Sequence, residues 1–376
     1  MGDSVLTVRQ VDPGAAYRAQ QSAIDAAVMR VLGSGRFLLD AEVAAFESEF
    51  ASWLGASHAV GCASGTDALV LLLRGLGLGS GCSVVTVSHT SIATVAAIEM
   101  AGAVPILVDV EPDHYTMDAQ DLAAVLDDPP SALPPIRAVI VVHLYGQPAD
   151  LSAIADLCAR HGVALLEDCC QAHGARFAGR RVGTLTEGAA FSFYPTKNLA
   201  ALGDAGAVTV RSPELAERIT ALRQYGWRTR QVSTESGVNS RMDEIQAAVL
   251  RVRLTELDRA NGRRRVIASA YDQALAGSSV RPPVRRPGAE HVFHQYVVRS
   301  AERERLQSRL RARGIETAVH YRIPVHRQPA YMGRMALGPS GCRTTDRLVD
   351  EILSLPMFPE LTDAQVAHIA DALRAV

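Results

Sequence analysis

The chain has 376 residues, 21% of them charged and 48% hydrophobic, with a formal net charge of −2. That length supports a large domain with a smaller one beside it, and the near-neutral charge gives no reason to expect nucleic acid or an anionic membrane as partner. The amino-terminal "MGDSVLTVRQ" lacks the basic-then-apolar run of a secretory signal, and no stretch nears the ~18 apolar residues of a membrane span. Six scattered cysteines without repeated CxxC spacing read as free thiols, so the expectation is a cytoplasmic protein.

In chain order, residues 16–32 and 41–54 read as two helices around the loop "GSGRFLLD", whose glycines suit an arm turned over a site. From about residue 58 to 210, apolar runs rich in Val, Ile and Ala ("HAVGCA", "SVVTV", "VPILVDV", "RAVIVVHL", "VALLED", "AAFSFY", "GAVTV") alternate with helical patterns. Strands of this kind are buried on both faces, which predicts an α/β fold with a mainly parallel sheet under helices. After the first strand, "CASGTDALVLLLRGLG" sets Ser64, Gly65 and Thr66 at a helix start. Ser64 and Asp67 resemble a capping box, and the free first-turn amides form an anion site; plain capping is the competing reading. Neither GxxxxGK[ST] nor GxGxxG occurs in that context, which disfavours nucleoside triphosphates and dinucleotides.

Further along, "LLEDCCQAHG" crowds acids, thiols, a glutamine and a histidine together. Asp168 closes the strand "VALLED", at the carboxyl end where open α/β sheets bind ligands. Lys197 follows 29 residues later in "FSFYPTKN", just past a strand that contains Ser192. A lysine leaving a buried strand has its pKa lowered by desolvation; a surface lysine is the competing reading. An acid and a lysine on nearby strand ends, with a phosphate cradle at an earlier helix, are the parts that pyridoxal phosphate requires. The lysine forms the Schiff base, the acid keeps the pyridine nitrogen protonated, and amides with a hydroxyl take the phosphate. A metal or thiol site at Cys169 and Cys170 is the rival, made awkward because adjacent strand residues point apart.

After Arg241, "RMDEIQAAVLRVRLTELDRANGRRR" reads as one long amphipathic helix, and "VRPPVRRPG" as a connector with solvated arginines. The expected division is 1–250 for the arm and large domain and 251–376 for a smaller C-terminal α/β domain.

With "SGRFLLDAEVAAFESEFASWLG", "VTVSHTSIATVAAI", "HLYGQPAD", "SFYPTKNLAALGDAGAV" and "GVNSRMDEIQAA" added in order, the chain resembles the DegT/DnrJ/StrS family of sugar aminotransferases. The resemblance implies the aspartate aminotransferase type of fold (PLP fold type I) with a seven-stranded sheet. It also implies pyridoxal 5'-phosphate, with pyridoxamine 5'-phosphate as its intermediate form, and a homodimer with shared active sites. By the same resemblance, Lys197 is the Schiff-base lysine, Asp168 the partner of the pyridinium nitrogen and Gln171 the partner of the phenolic oxygen. Gly65, Thr66 and Ser192 match phosphate positions. His89 in "VSHTS" stands where a ring covers the cofactor, and Asn239 matches an asparagine that serves the neighbouring subunit.

The segments "QAHGA", "YPTKNLAALGDAGAV" and "YGWRTRQ" are most similar to enzymes that aminate nucleotide-linked 3-keto-6-deoxyhexoses. Amination of a 4-keto sugar or a cyclitol, and a non-catalytic regulator on the same fold, are the alternatives. Arg36, Phe37, Arg228, Arg230, His320 and Tyr321 are the candidate substrate contacts, and His173 stays open between local structure and substrate. The expected reaction is a two-stage exchange in which L-glutamate donates the amine and the keto sugar receives it.

Overall fold

Seven of the apolar runs become strands of one sheet, and the computed structural model, which describes residues 6–376, adds an eighth that the seven-strand expectation lacked. The amino-terminal stretch weighed for a targeting signal begins outside the described residues. The sheet order is His58–Cys62, Gly206–Val210, Gly188–Ser192, Ala164–Asp168, Ile136–Val142, Ser83–Val87, Val104–Val108 and Ala336–Leu337. Gly206–Val210 runs antiparallel to both neighbours, and every other pairing is parallel. Ala336 and Leu337 pair with Ile106 and Leu107 from the far end of the chain; a two-residue strand is too short to show a period in sequence.

Helix Gly65–Gly75 is apolar nearly all round because it is enclosed, with Leu69, Leu71, Leu72 and Leu73 buried. Ser64 Oγ accepts from Asp67 N at 3.1 Å, yet only half of the expected capping box forms. The Asp67 carboxylate accepts instead from Ser240 Oγ at 2.9 Å, a tertiary partner that local sequence does not reveal. Helix Ala41–Leu54 lies against the sheet, where Phe46 and Phe50 meet Phe193 and Phe191 edge to face at 5.3 and 5.1 Å. Its first turn is capped from afar: Glu244 accepts from the amides of Asp40, Glu42 and Val43 at 2.7, 2.7 and 3.0 Å.

The helix expected over 16–32 is two, Pro13–Ala19 and Gln21–Ser34, and the long one after Arg241 is also two, Glu244–Leu254 and Leu257–Ala274. The expected division at residue 250 falls inside the first of the latter pair. At the break, Glu256 N bonds to Arg253 O, a tighter turn that leaves the apolar pattern unbroken. The second helix joins Val8, Tyr296, Leu310, Leu353 and Ile369 in a separate hydrophobic cluster around the antiparallel pair Tyr296–Arg299 and Ile352–Leu355.

The connector before it is not wholly solvated. Arg286 is buried, with its charge met by Glu111 at 2.6 Å and Asp150 at 3.4 Å, the pairing that a desolvated guanidinium needs. Among the described residues, no helix is long and apolar enough to cross a membrane.

Candidate active site

The parallel strands deliver their carboxyl ends to one cavity of about 390 Å³, lined by Val142, Asp168 and Ser192 at those ends and by the helix start Ser64–Thr66. Lys197 and Gln171 complete that wall. His294, Gln295, His320 and Tyr321 close the cavity from the C-terminal part of the chain.

Asp168 is buried and held at both oxygens: Thr94 Oγ1 donates to Oδ2 at 2.9 Å and Cys170 N to Oδ1 at 3.1 Å. Gln171 has a fixed orientation, because Oε1 accepts from Tyr145 N at 2.8 Å. Its Nε2 therefore faces the cavity, donating to Tyr321 Oη at 3.0 Å. Lys197 sits in the turn after the strand, its amide bonded to Tyr194 O at 2.8 Å. Burial lowers the pKa of its amine, against the opposing pull of Cys170 and Asp168, a shift toward the neutral nucleophilic form.

The helix start is shaped for close approach. A Cβ on Gly65 would lie 2.5 Å from Ser192 Cβ and 3.0 Å from Cys170 Sγ, so only glycine leaves this corner open. The amides of Gly65 and Thr66 precede the first intrahelical bond, whereas that of Asp67 is taken by Ser64.

Other expected site residues lie elsewhere. His89 does not line the cavity: it is buried, with Nε2 2.9 Å from Tyr145 Oη, and burial lowers its pKa to about 4. Thr90 and Ser91 of the same segment, with Ala93 in the first turn of helix Ile92–Ala101, line the cavity in its place. Arg36, Phe37, Arg228, Arg230 and Asn239 are exposed and do not line this chain's own cavity. His173 is packed among Phe191 and Phe193 with both ring centroids 5.6 Å away, a local structural position. Cys169 is buried as expected of a packing residue, but Cys170 is half-buried and lines the cavity, where burial and then Asp168 push its thiol pKa up.

Sequence reasoning missed Thr94 and His294. The signal for Thr94 was its place in "HTSIAT", in the first turn of a helix that follows a parallel strand. His143, Glu167 and Cys169 bring ligand atoms within 4.8 Å of one another, yet hydrogen bonds occupy His143 and Glu167. His143 Nδ1 accepts from Ala149 N at 3.0 Å, so Nε2 carries the proton and donates to Glu167 at 3.1 Å. Glu167 also accepts from the amides of Gly183 and Leu185 at 2.8 and 3.1 Å, tying that loop down.

A model of the DegT/DnrJ/EryC1/StrS aminotransferase family matches residues 18–374. The chain is 46% identical over 366 residues to the dTDP-3-amino-3,4,6-trideoxy-alpha-D-glucose transaminase of Streptomyces venezuelae, covering 97% of this chain and 94% of that protein. It is 44% identical to the erythromycin biosynthesis sensory transduction protein EryC1 of Saccharopolyspora erythraea, over 98% of this chain and all of that one. A crystal structure of S. venezuelae DesV in complex with a ketimine intermediate matches with a TM-score of 0.92 at 46% identity, covering 97% of this chain and 96% of that chain. The architecture is thus the aspartate aminotransferase type.

Proposed function

Because the chain belongs to the DegT/DnrJ/EryC1/StrS aminotransferase family, we propose that it moves an amino group from L-glutamate to the 3-keto group of a nucleotide-linked 6-deoxyhexose in deoxyaminosugar biosynthesis. The dTDP-linked sugar is favoured, as in the name of its 46% identical relative. The observation that carries this reading is the shared cavity of Lys197, Asp168, Gln171, Ser192 and the helix start at Ser64–Thr66.

These residues fit pyridoxal phosphate. The corner that a Cβ on Gly65 would fill, beside the open amides of Gly65 and Thr66 and the Ser192 hydroxyl, suits the phosphate. When bound, the cofactor supplies an aldehyde that carries the amino group between half-reactions and a ring that accepts electrons from the carbon losing a proton. Asp168, oriented by Thr94 and the Cys170 amide, holds the proton on the ring nitrogen in both halves. Gln171 directs Nε2 at the phenolic oxygen. Lys197 Nζ, its pKa lowered by burial, would move the proton from the α-carbon of glutamate to the cofactor carbon that carries the amine, and in the second half from that carbon to C3 of the sugar. Gln295, His320 and Tyr321, from the C-terminal part of the chain, close the cavity over these steps.

Tyr17, Ile24, Met29 and Leu202 line an apolar groove near the Lys197 loop, and Phe37, Leu38 and Tyr194 are exposed large apolar side chains. Exposed apolar surface of this extent supports a homodimer, with Asn239 serving the partner's site.

The deciding experiment mixes the pyridoxamine phosphate form with a panel of dTDP-linked 3-keto and 4-keto sugars, followed by absorbance and product NMR. Reaction with 4-keto sugars alone would move the site of amination. A regulator on the same fold, the role a 37% identical relative is named for, predicts cofactor binding with no spectral change on adding glutamate.

A further inference from the structure

Behind the cavity wall, two peptide carbonyls set the direction of a chain of amides. Carbonyls only accept, so Asn261 Nδ2 donates to His173 O at 2.8 Å, and Asn261 Oδ1 faces Asn198. Asn198 Nδ2 then donates to that oxygen at 2.9 Å and to Val292 O at 3.1 Å. This leaves Asn198 Oδ1 as the acceptor opposite His294 Nδ1, at 3.2 Å. Nδ1 of His294 must therefore carry the proton, since turning either amide over would set oxygen against oxygen.

The other ring nitrogen, Nε2, meets no protein partner among the described residues, and His294 shares the cavity wall with Lys197 and His320. Burial holds the pKa of this imidazole well below its ordinary value, and the titratable groups that face it are Lys197, Arg264, His320 and His173. Nε2 is thus a lone pair at the edge of the cavity.

We propose that His294 is a specificity-determining residue that offers Nε2 as a hydrogen-bond acceptor to a hydroxyl of the bound sugar. The inference rests on the reading above, in which a nucleotide-linked sugar and glutamate occupy the cavity in turn. A hydroxyl brings a proton to share, whereas a carboxylate oxygen meets lone pair with lone pair. His294 therefore favours the sugar half-reaction and contributes nothing to the glutamate half.

The test follows the two half-reactions separately on the cofactor-loaded enzyme, with L-glutamate and a dTDP-linked 3-keto-6-deoxyhexose. His294→Phe is expected to lower kcat/KM for the sugar about tenfold, the size of one neutral hydrogen bond, and to change the glutamate half by less than about twofold. His294→Gln, which returns an acceptor, is expected to recover part of the loss. Equal loss in both halves, or loss in neither, overturns the proposal. The tautomer is read independently, from 15N histidine shifts of the cofactor-free chain near neutral pH. A proton on Nε2 there overturns the inference whatever the substrate, and it decides the matter should His294→Phe fail to fold. A wild-type enzyme that aminates no sugar while His294 shows the Nδ1–H form overturns both the functional reading and the sugar-recognition role drawn from it, leaving only the tautomer assignment.

Discussion

Thr94 Oγ1 donates to Asp168 Oδ2 at 2.9 Å, joining the first turn of helix Ile92–Ala101 to the end of a strand 74 residues on. Thr90 Oγ1 lies 3.0 Å from Thr94 Oγ1, and since Thr94 spends its proton on Asp168, Thr90 is the donor. Asp168 is thus aimed by a short hydroxyl relay. Thr94→Val should cut turnover about tenfold with the fold intact, and Thr94→Ser should restore most of it. Steady-state rates beside circular dichroism check this; a Val variant at the wild-type rate removes Thr94 from the machinery.

Lys197→Ala should abolish turnover, and Asp168→Ala should cost roughly 10²- to 10⁴-fold in rate. Both should leave the secondary structure unchanged, because neither side chain belongs to a hydrophobic cluster. Near-normal rates in the Lys197 variant would sink the assignment.

Gly65→Ala places a methyl group 2.5 Å from Ser192 Cβ, where one of them must move. The expected result is at least about tenfold weaker pyridoxal phosphate affinity, measured by fluorescence titration of the cofactor-free chain. Unchanged affinity would show that the phosphate lies elsewhere.

Four buried histidines make the fold sensitive to acid. Burial first, then nearby cations at several of them, lower the pKa of His89 to about 4 and of His173 and His291 to about 3, and that of His294 well below its ordinary value. Above about pH 6.5 these side chains are neutral in both states and stability does not vary through them. As the pH falls below that value, the unfolded chain takes up protons that the folded one refuses. Stability is then lost at about 1.4 kcal/mol per pH unit per histidine until each folded pKa is reached. Melting temperature should be flat above neutrality and drop steeply toward ~pH 4.5; a flat profile across that window would falsify this account.

Glu244→Ala strips the partner from the amides of Asp40, Glu42 and Val43 at the start of helix Ala41–Leu54. About 3 kcal/mol of stability should be lost, visible in urea melts, with Glu244→Gln losing less.

Strand ends could be found from the sequence because apolar runs mark buried strands and their last polar residue marks the opening of the sheet; Asp168 and Lys197 stand out on those grounds. Lateral contacts carry no such mark. Nothing around Thr94 or His294 shows that they meet Asp168 and Asn198, and the tie between Glu244 and the helix at Ala41 spans some 200 residues. His89 was placed by resemblance alone, and its ring is buried against Tyr145 rather than in the cavity wall. Arg286 looked solvated because Glu111 and Asp150 are distant in the chain. A period fixes which face of an element is buried, not which neighbour it is buried against.

The strand Ala336–Leu337 has a kinetic consequence. It covers the free edge of Val104–Val108 but is synthesised some 230 residues later. At ordinary rates of translation, that edge waits about 10–50 s with its peptide groups unpaired. For that interval the nascent chain carries an open template for pairing with another copy of itself. Its vulnerability to aggregation belongs to synthesis and refolding, and ends when the last strand docks.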